Sequence, residues 1–459
     1  MHPDGLPTPQ RYWSMLAIAL GITMSVLDSA VANIALPTIA KELQTTPAAS
    51  VWVVNAYQLA IVVTLLPLAS LGERVGYRRI YQAGLAVFTL GSLGCALSHS
   101  LPALVTARVI QGLGATGIMS VNGALVRFTY PQSALGRGVG LNALVVSIAA
   151  AAGPTIASGI LSVGPWEWLF AINVPIGIVN LIIAARALPW SPLSGQRFDW
   201  ISASLAALMF GLIFIGADTF SQGEGGGVIS AVEIAFAVAA GLVLIRRERH
   251  RSSPLIPVDL LRNPIFALSV ATSICSFAAY MLAFVVLPFY FQSALHLNQV
   301  QTGLLMTPWP VAVGLVAPLA GRLSDRVPAA ILGTAGLSML AAGSLLLATL
   351  PAHTSILGVA WRMALCGLGF GFFQSPNNRT LLSSAPRTRA GAAGGMLATA
   401  RLTGQTTGAT MAALVFRIAP HDTETIDLLV ATGLATAAAL ASVMRLPARK
   451  LRPALKKTS

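Results

Sequence analysis

Leu71-Gly72-Glu73-Arg74-Val75 recurs 252 residues later as Leu323-Ser324-Asp325-Arg326-Val327. Two further echoes keep nearly the same spacing: Gly112-Leu113-Gly114 returns as Gly367-Leu368-Gly369 at an offset of 255, and Leu36-Pro37 as Leu287-Pro288 at 251. A near-constant offset across three separate features predicts two parallel halves related by an axis along a membrane normal. Composition supplies the membrane. Of 459 residues, 55% are hydrophobic and only 10% charged, and the mean hydropathy is +0.75, whereas a soluble protein carries about 25% charged residues.

Working outward from the repeat, fourteen apolar spans can be read: 12–36, 50–70, 80–99, 101–124, 138–163, 168–185, 200–217, 228–245, 265–292, 301–321, 329–350, 354–377, 391–416 and 426–444. Each is long enough, as a helix, for about 30 Å of hydrocarbon. Spans 1–6 and 9–14 are the two halves, and spans 7 and 8 are an insert followed by the linker Arg246–Asn263. The predicted fold is an all-α polytopic membrane protein of 14 transmembrane helices: two six-helix bundles plus two inserted helices. The expected domains are residues 1–190, 191–264 and 265–445, with a basic tail over 446–459. The first run begins near Tyr12 and lacks a small-residue cleavage site, so it reads as a span and not as a cleavable signal.

A net charge of +14 raises nucleic acid as a partner, but the placement of the charge argues against it. With both termini cytoplasmic, 24 of the 29 Lys and Arg residues fall on the cytoplasmic side. The opposite side keeps Lys41 and Arg417 and eight of the fifteen acids, counting Glu233 and Asp427 near helix starts. That asymmetry is the positive-inside signal, and it predicts a multi-pass protein of the cell (plasma or inner) membrane. The tail from Arg445 to Lys457 is expected to rest on anionic lipid.

Asp28 is the only acid read as lying deep within a span. An ionised carboxylate in hydrocarbon costs at least about 2.5 kcal/mol, so it must be paired, wet or protonated. Span 1 is taken to run outward and end near Pro37, and span 4 to run inward from Leu101. At a rise of about 1.5 Å per residue, Asp28 and Arg108 then share a depth within one half. Two readings stand: a proton switch, in which water access tips the carboxylate between forms, or a static pair that fixes helix packing.

The second half has no carboxylate matching Asp28; its intramembrane charges are Arg362 and Arg401. Each is read either as structural or as a contributor to substrate or proton coupling. Asn33, Trp52, Asn55, Tyr57, Gln58, Asn142, Trp309, Gln374 and Asn377 are candidates for a substrate cavity. Aromatic rings can hold lipophilic cations with about 2 kcal/mol or more when desolvated. Interhelical hydrogen bonding and interfacial anchoring are the alternative for each. Cys95, Cys275 and Cys366 are far apart and read as packing residues. No phosphate-cradling loop, metal-ligand spacing or activated nucleophile is present in the sequence, so neither an enzyme, a metal nor a cofactor is expected.

Three motifs and two further stretches carry a family resemblance. Glu73-Arg74-x-Gly76-x-Arg78-Arg79 resembles the signature loop of the major facilitator superfamily, and Arg108-x-x-Gln111-Gly112-x-Gly114 the arginine motif of its drug exporters. Gly153-Pro154 resembles the core of the antiporter motif. Together with Leu27–Pro37 and the stretch Trp166–Gly177, the fourteen spans resemble the fourteen-span drug:proton antiporter family. There are departures: Glu73 stands for an aspartate, Gly72 for an alanine, Ala157-Ser158 for a double glycine, Ala149 for an upstream glycine and Glu167 for an arginine.

The resemblance implies a proton-coupled antiporter that exports amphipathic, cationic drugs or antiseptics by alternating access. It implies proton coupling by Asp28 and Arg108, and a conformational latch of Glu73, Arg74, Gly76, Arg78 and Arg79, with Asp325 and Arg326 as the second copy. Glu73 would face a helix start around Gly391, and Gly153-Pro154 would kink span 5. Trp52 and Tyr57 match a family pattern in span 2. The expected partners are a small-molecule substrate, protons and membrane lipid, with the chain acting as a monomer and no nucleic acid. The rival reading is a dedicated exporter or importer of an endogenous metabolite on the same fold, and a non-transporting sensor is a third.

Overall fold

The computed structural model describes residues 5–131, 134–191, 193, 199–221, 226–248, 260–324, 326–350, 355–385, 390–419 and 423–446. Among these, regular structure is entirely helical. The chain opens with α1 (Thr8–Glu42), α2 (Pro47–Ser50), α3 (Trp52–Val75), α4 (Tyr77–Ala96) and α5 (Leu101–Thr129), followed by α6 (Leu135–Val163), α7 (Trp168–Ala171) and α8 (Asn173–Ala187). Next come α9 (Trp200–Ser221) and α10 (Gly226–Glu248). The remainder is α11 (Pro264–Ser293), α12 (Gln299–Met306), α13 (Pro308–Leu323), α14 (Ala329–Ala348), α15 (Ile356–Ser384), α16 (Ala390–Ile418) and α17 (Thr423–Val443). The short helices α2, α7 and α12 run almost directly into α3, α8 and α13, which leaves fourteen helical rods. Among the described residues, eleven of these are long and apolar enough to cross a membrane; α4, α9 and α16 fall outside that set. The chain is a multi-pass membrane protein.

Helix ends differ from the sequence expectation. Pro37 lies inside α1, which continues to Glu42, so the expected stop at Pro37 is not observed. A proline is tolerated within a membrane helix where nearby groups satisfy the carbonyl it frees. α6 is likewise continuous through Pro154. Asn33 turns its amide back onto the Ser29 carbonyl at 3.0 Å one turn before Pro37, and Ser158 donates to the Pro154 carbonyl at 2.8 Å one turn after it.

The chain divides into two compact units, Met1–Gly216 with Gly227–Leu244, and Ala217–Gly226 with Ile245–Ser459. In the first, α4 packs on α5, α3 on α5, α1 on α6 and α8, and α4 on α8. In the second the same scheme recurs: α14 on α15, α13 on α15, α11 on α16 and α17, and α14 on α17. The internal repeat of the sequence is therefore a repeat of helix pairings. Glycines explain why those pairings are close, because lipid supplies no hydrophobic drive between helices and small residues let backbones approach. A Cβ on Gly84 would lie 2.7 Å from the Gly117 Cα, and one on Gly336 would lie 2.5 Å from the Gly369 carbonyl oxygen. Tyr81 adds a polar tie in the first unit: its hydroxyl donates to the Ala17 carbonyl at 2.5 Å and accepts from the Asn180 amide at 3.3 Å.

The inserted helices have a visible contact role. Ser230 on α10 donates to the Gly216 carbonyl on α9 at 2.6 Å, pinning the pair together. Trp200, Ala203, Ser204 and Ala207 on α9 close a cleft of about 480 Å³ against α3, α4 and α5.

These close approaches carry a test. Gly117→Ala places a methyl against the α4 backbone and should cost about 1–3 kcal/mol through overpacking. Gly123→Ala on the same helix meets open space within 4 Å and should be neutral or stabilise by up to about 1 kcal/mol. Thermal unfolding of the two purified variants in one detergent checks the difference.

Candidate functional site

Asp28 sits near the middle of α1 and Arg108 in the first half of α5, and the two form an ion pair through Oδ2 and Nη1. It is the one such pair recorded among the described residues. Both are shut off from solvent, at 3% and 0% exposure. Burying two charges is costly and is repaid only when geometry is good and the remaining lone pairs and protons are matched. Here they are. Asp28 Oδ1 accepts from Gln111 Nε2 at 2.7 Å and from Asn173 Nδ2 at 3.0 Å.

The arginine is gripped from several sides. Its Nε donates to the Val53 carbonyl at 2.8 Å, and Nη1 also donates to Gln111 Oε1 at 2.7 Å. Its Nη2 has no hydrogen-bond partner but the guanidinium lies over aromatic faces, 4.1 Å from the Tyr57 centroid and 5.5 Å from that of Phe170. Tyr57 is held in place by its hydroxyl, which donates to the Ser25 carbonyl at 3.1 Å. Gln111 bridges the cluster outward, donating to Ser92 Oγ at 2.8 Å and accepting weakly from Cys95 Sγ at 3.5 Å.

Local sequence explains the assembly. Arg108 and Gln111 stand three residues apart, which puts both on one face of α5. Gly112, next in the motif, lets α5 approach α3: a Cβ there would lie 2.6 Å from the Tyr57 carbonyl oxygen. Asn173 is the first residue of α8, just after the break from α7. Gly153 meets α1 at Ala30, with 2.6 Å left for a Cβ, so the Gly153-Pro154 motif brings α6 against α1 two residues from Asp28. Neutralising Asp28 with a proton would leave Arg108 as a lone cation in apolar surroundings. That coupling between protonation and the packing of four helices is the chemistry the cluster makes available.

Other candidates lie elsewhere. Asn33 and Asn55 are buried with Oδ1 unpartnered, and Asn142 Oδ1 is also unpartnered. Trp52 is half-buried and Gln58 fully buried on α3. In the second unit Trp309 is buried among Tyr280 and Phe284, edge-on at 5.6 and 5.4 Å. Gln374 is half-buried. Asn377 is engaged in packing, donating to Ser273 Oγ at 2.8 Å and to the Ser269 carbonyl at 3.2 Å. Arg362 donates to the Gly358 carbonyl at 2.6 Å and stacks on Trp361, whereas Arg401 keeps its Nε unpartnered.

The signature loop docks within its own unit. Gly76 adopts φ +104°, a conformation side chains rarely tolerate. Arg78 donates to the carbonyls of Ala185 and, at 3.1 Å, Leu188, and its guanidinium lies 4.5 Å from the Trp190 ring centroid. A cation at the C-terminal end of α8 also meets the negative end of the helix dipole. Arg79 approaches the same ring at 5.9 Å, Glu73 is exposed and Arg74 half-buried. Arg326 is exposed, while Asp325 lies outside the described residues.

Sequence reasoning missed several members. Ser92, Cys95, Phe170 and Asn173 were not singled out as site residues, and Gln111 was seen only as part of a motif. It also placed Asp427 with interfacial acids. In the structure Asp427 lies one turn into α17 at 0% exposure, with neither carboxylate oxygen hydrogen-bonded. Its position beside a polar loop hid its burial.

Removing one partner of a buried pair typically costs about 3–5 kcal/mol. Asp28→Asn should therefore lower the thermal midpoint sharply, and Asp28→Asn combined with Arg108→Gln should recover part of the loss. A double-mutant cycle on the purified protein measures the coupling; additive losses would show that the pair contributes nothing.

The profile of the Major Facilitator Superfamily matches residues 18–409. The chain is 53% identical over 448 residues to the uncharacterized transporter YebQ of Escherichia coli (strain K12), covering 97% of this chain and 98% of that protein. It is 32% identical to the riboflavin transporter RibZ of Clostridioides difficile (strain 630), over 85% of both chains. It is also 32% identical to the multidrug resistance protein Stp of Mycobacterium tuberculosis (strain CDC 1551 / Oshkosh), over 86% of this chain and 74% of that one. Among solved structures, a D-xylose–proton symporter superposes with a TM-score of 0.69 at 15% identity, covering 94% of this chain and 97% of the other. The chain belongs to the Major Facilitator Superfamily of transporters.

Proposed function

We propose that the protein is a proton-coupled antiporter that exports amphipathic, cationic drugs or antiseptics, working by alternating access. All fourteen helical rods cross the membrane in this reading, both termini are cytoplasmic, the chain acts as a monomer, and it belongs to the fourteen-span drug:proton antiporters. The single observation that carries the reading is the buried Asp28–Arg108 pair, braced by Gln111 and Asn173. Intramembrane ionisable groups mark proton and substrate pathways. Asp28 takes a proton when water reaches it from the outer side and yields it to the inner side as substrate returns. Each proton transfer weakens or restores the tie between α1, α5 and α8. Asn33, Trp52, Asn55, Tyr57, Gln58, Asn142, Trp309, Gln374, Asn377, Arg362 and Arg401 are proposed to contribute to substrate passage. Glu73, Arg74, Gly76, Arg78, Arg79, Asp325 and Arg326 are proposed as the latch. The relative named as a multidrug resistance protein supports the substrate class.

A second reading, a dedicated metabolite transporter, has support of equal weight from relatives, since the riboflavin transporter is as similar to this chain as the multidrug protein is. A susceptibility panel with and without expression separates the two: broad protection against dyes and antiseptics favours drug export, and no protection favours a metabolite.

The coupling is tested in vesicles. With Asp28→Asn, uptake driven by an imposed pH gradient should vanish while exchange of labelled for unlabelled substrate persists. Gradient-driven uptake at the wild-type rate would remove Asp28 from the mechanism. Loss of both activities in Asp28→Asn, with both retained in the double variant Asp28→Asn/Arg108→Gln, would assign the pair to packing alone.

A further inference from the structure

At the end of the second unit where α11 and α14 begin and α15 and α17 finish, a pocket of about 720 Å³ opens. The polar part of its described lining is basic and hydroxylic, and Ile265, Val327 and Leu446 are among the apolar residues that complete the pocket. Arg326, Arg379 and Arg445 face it, together with Ser324, Thr380 and Ser383. Arg445 is the anchor. Although only 3% exposed, it is fixed by neutral partners: Nη1 donates to Asn377 Oδ1 at 2.6 Å and Ser269 Oγ at 3.2 Å, and Nη2 to Ser442 Oγ at 2.5 Å. Burial lowers its pKa to about 10, which leaves it charged at neutral pH. A buried guanidinium ordinarily has a carboxylate or phosphate against it, and this one has none among the described residues.

The first residues of α14 add to the field. Ala329 and Ala330 line the pocket, and Pro328, at the cap, supplies no side-chain hydrogen bond. The positive end of the α14 dipole therefore borders the same space. Asp325 lies between Ser324 and Arg326 in sequence and outside the described residues. Pairing it with Arg379, whose guanidinium also donates to Ser324 Oγ at 3.0 Å, still leaves two positive charges, on Arg326 and Arg445. No acid appears among the described residues that line the pocket.

We propose that this pocket binds a phosphate-class anion, held by Arg445 and Arg326 and by the amino end of α14. The exposed Arg326 can offer phosphate a bidentate guanidinium. Arg445, whose Nε also donates to the Ser442 carbonyl at 3.5 Å, keeps its charge and one Nη2 proton for the anion. The volume of about 720 Å³ admits a substituted phosphate as well as the bare ion. Two sources share that chemistry, the headgroup of an anionic phospholipid and a soluble phosphate. The site is independent of the Asp28 cluster, since it lies wholly in the other unit.

The full-length protein is reconstituted in nanodiscs of phosphatidylcholine with a minor fraction of phosphatidylglycerol, and the lipid retained after detergent extraction is read by native mass spectrometry. In parallel, inorganic phosphate is titrated against chloride at matched ionic strength while the thermal midpoint is followed. Selective retention of phosphatidylglycerol, falling about fivefold in Arg326→Ala, supports a headgroup as the occupant. A rise in midpoint with inorganic phosphate, lost in Arg326→Ala, supports a soluble one. Arg326 is exposed, so its variants are expected to fold, and Arg326→Lys should keep most of the binding. Absence of both responses in the wild type, or either response unchanged in Arg326→Ala and Arg445→Gln alike, overturns the proposal.

Discussion

One positive charge in an apolar bundle constrains the first half of this protein more than any other feature. Arg108 cannot lose its proton at any physiological pH, so the bundle must be organised to hold a permanent cation. It does so with one carboxylate from α1, one backbone carbonyl and one ring face from α3, one amide from α5 itself and a second ring face from α7. The contributions from α1, α3 and α7 tie three other helical segments to α5. Polar groups in hydrocarbon have few alternatives to one another, which makes such a cluster specific about arrangement even when its net stabilisation is small.

The second half shows no ion pair at the corresponding place among its described residues. Tyr57 and Trp309 stand 252 residues apart, the same offset that relates the two signature loops. Where the first half has Tyr57 beneath a guanidinium, the second has Trp309 against Tyr280 and Phe284, with Phe370 stacked on Tyr280 at 5.2 Å. The helix pairings are nonetheless the same. Repeated glycines at crossings such as Gly84 with Gly117 and Gly336 with Gly369 preserve the frame, while the side chains enclosed by it have diverged. The repeated scaffold thereby carries an ion pair in one copy and an aromatic cluster in the other. The charge is a feature of chemistry and not of fold.

Much of this was legible in the residues. Hydropathy located fourteen rods, since nothing but a helix satisfies its own backbone over twenty apolar residues. Asp28 and Arg108 stood out because a charge in an apolar run is costly unless paired, wet or neutralised. Helix ends were less legible. The sequence reading stopped α1 at Pro37, but the helix continues to Glu42, because a proline inside a membrane helix need not end it. The sequence did not show that Gly153, beside Pro154, marks a close approach of α6 to α1. Asp427 escaped notice because a carboxylate four residues into a helix looks interfacial until its neighbours are known.

The chain alone determined class, repeat and the identity of the charged pair, because these depend on composition and spacing, which are local or periodic properties of a sequence. Only the folded molecule decided who completes the cluster. Asn173 and Ser92 are ordinary polar residues in sequence, 145 and 64 positions from Asp28, and nothing local distinguishes them from helix-surface amides and hydroxyls. Their roles arise from the crossing of helices at shared depth, which is fixed by packing of small residues across several elements at once. The same holds for Arg445: in sequence it is the first residue of a basic tail, and burial by α11 and α15 turns it into the floor of a pocket.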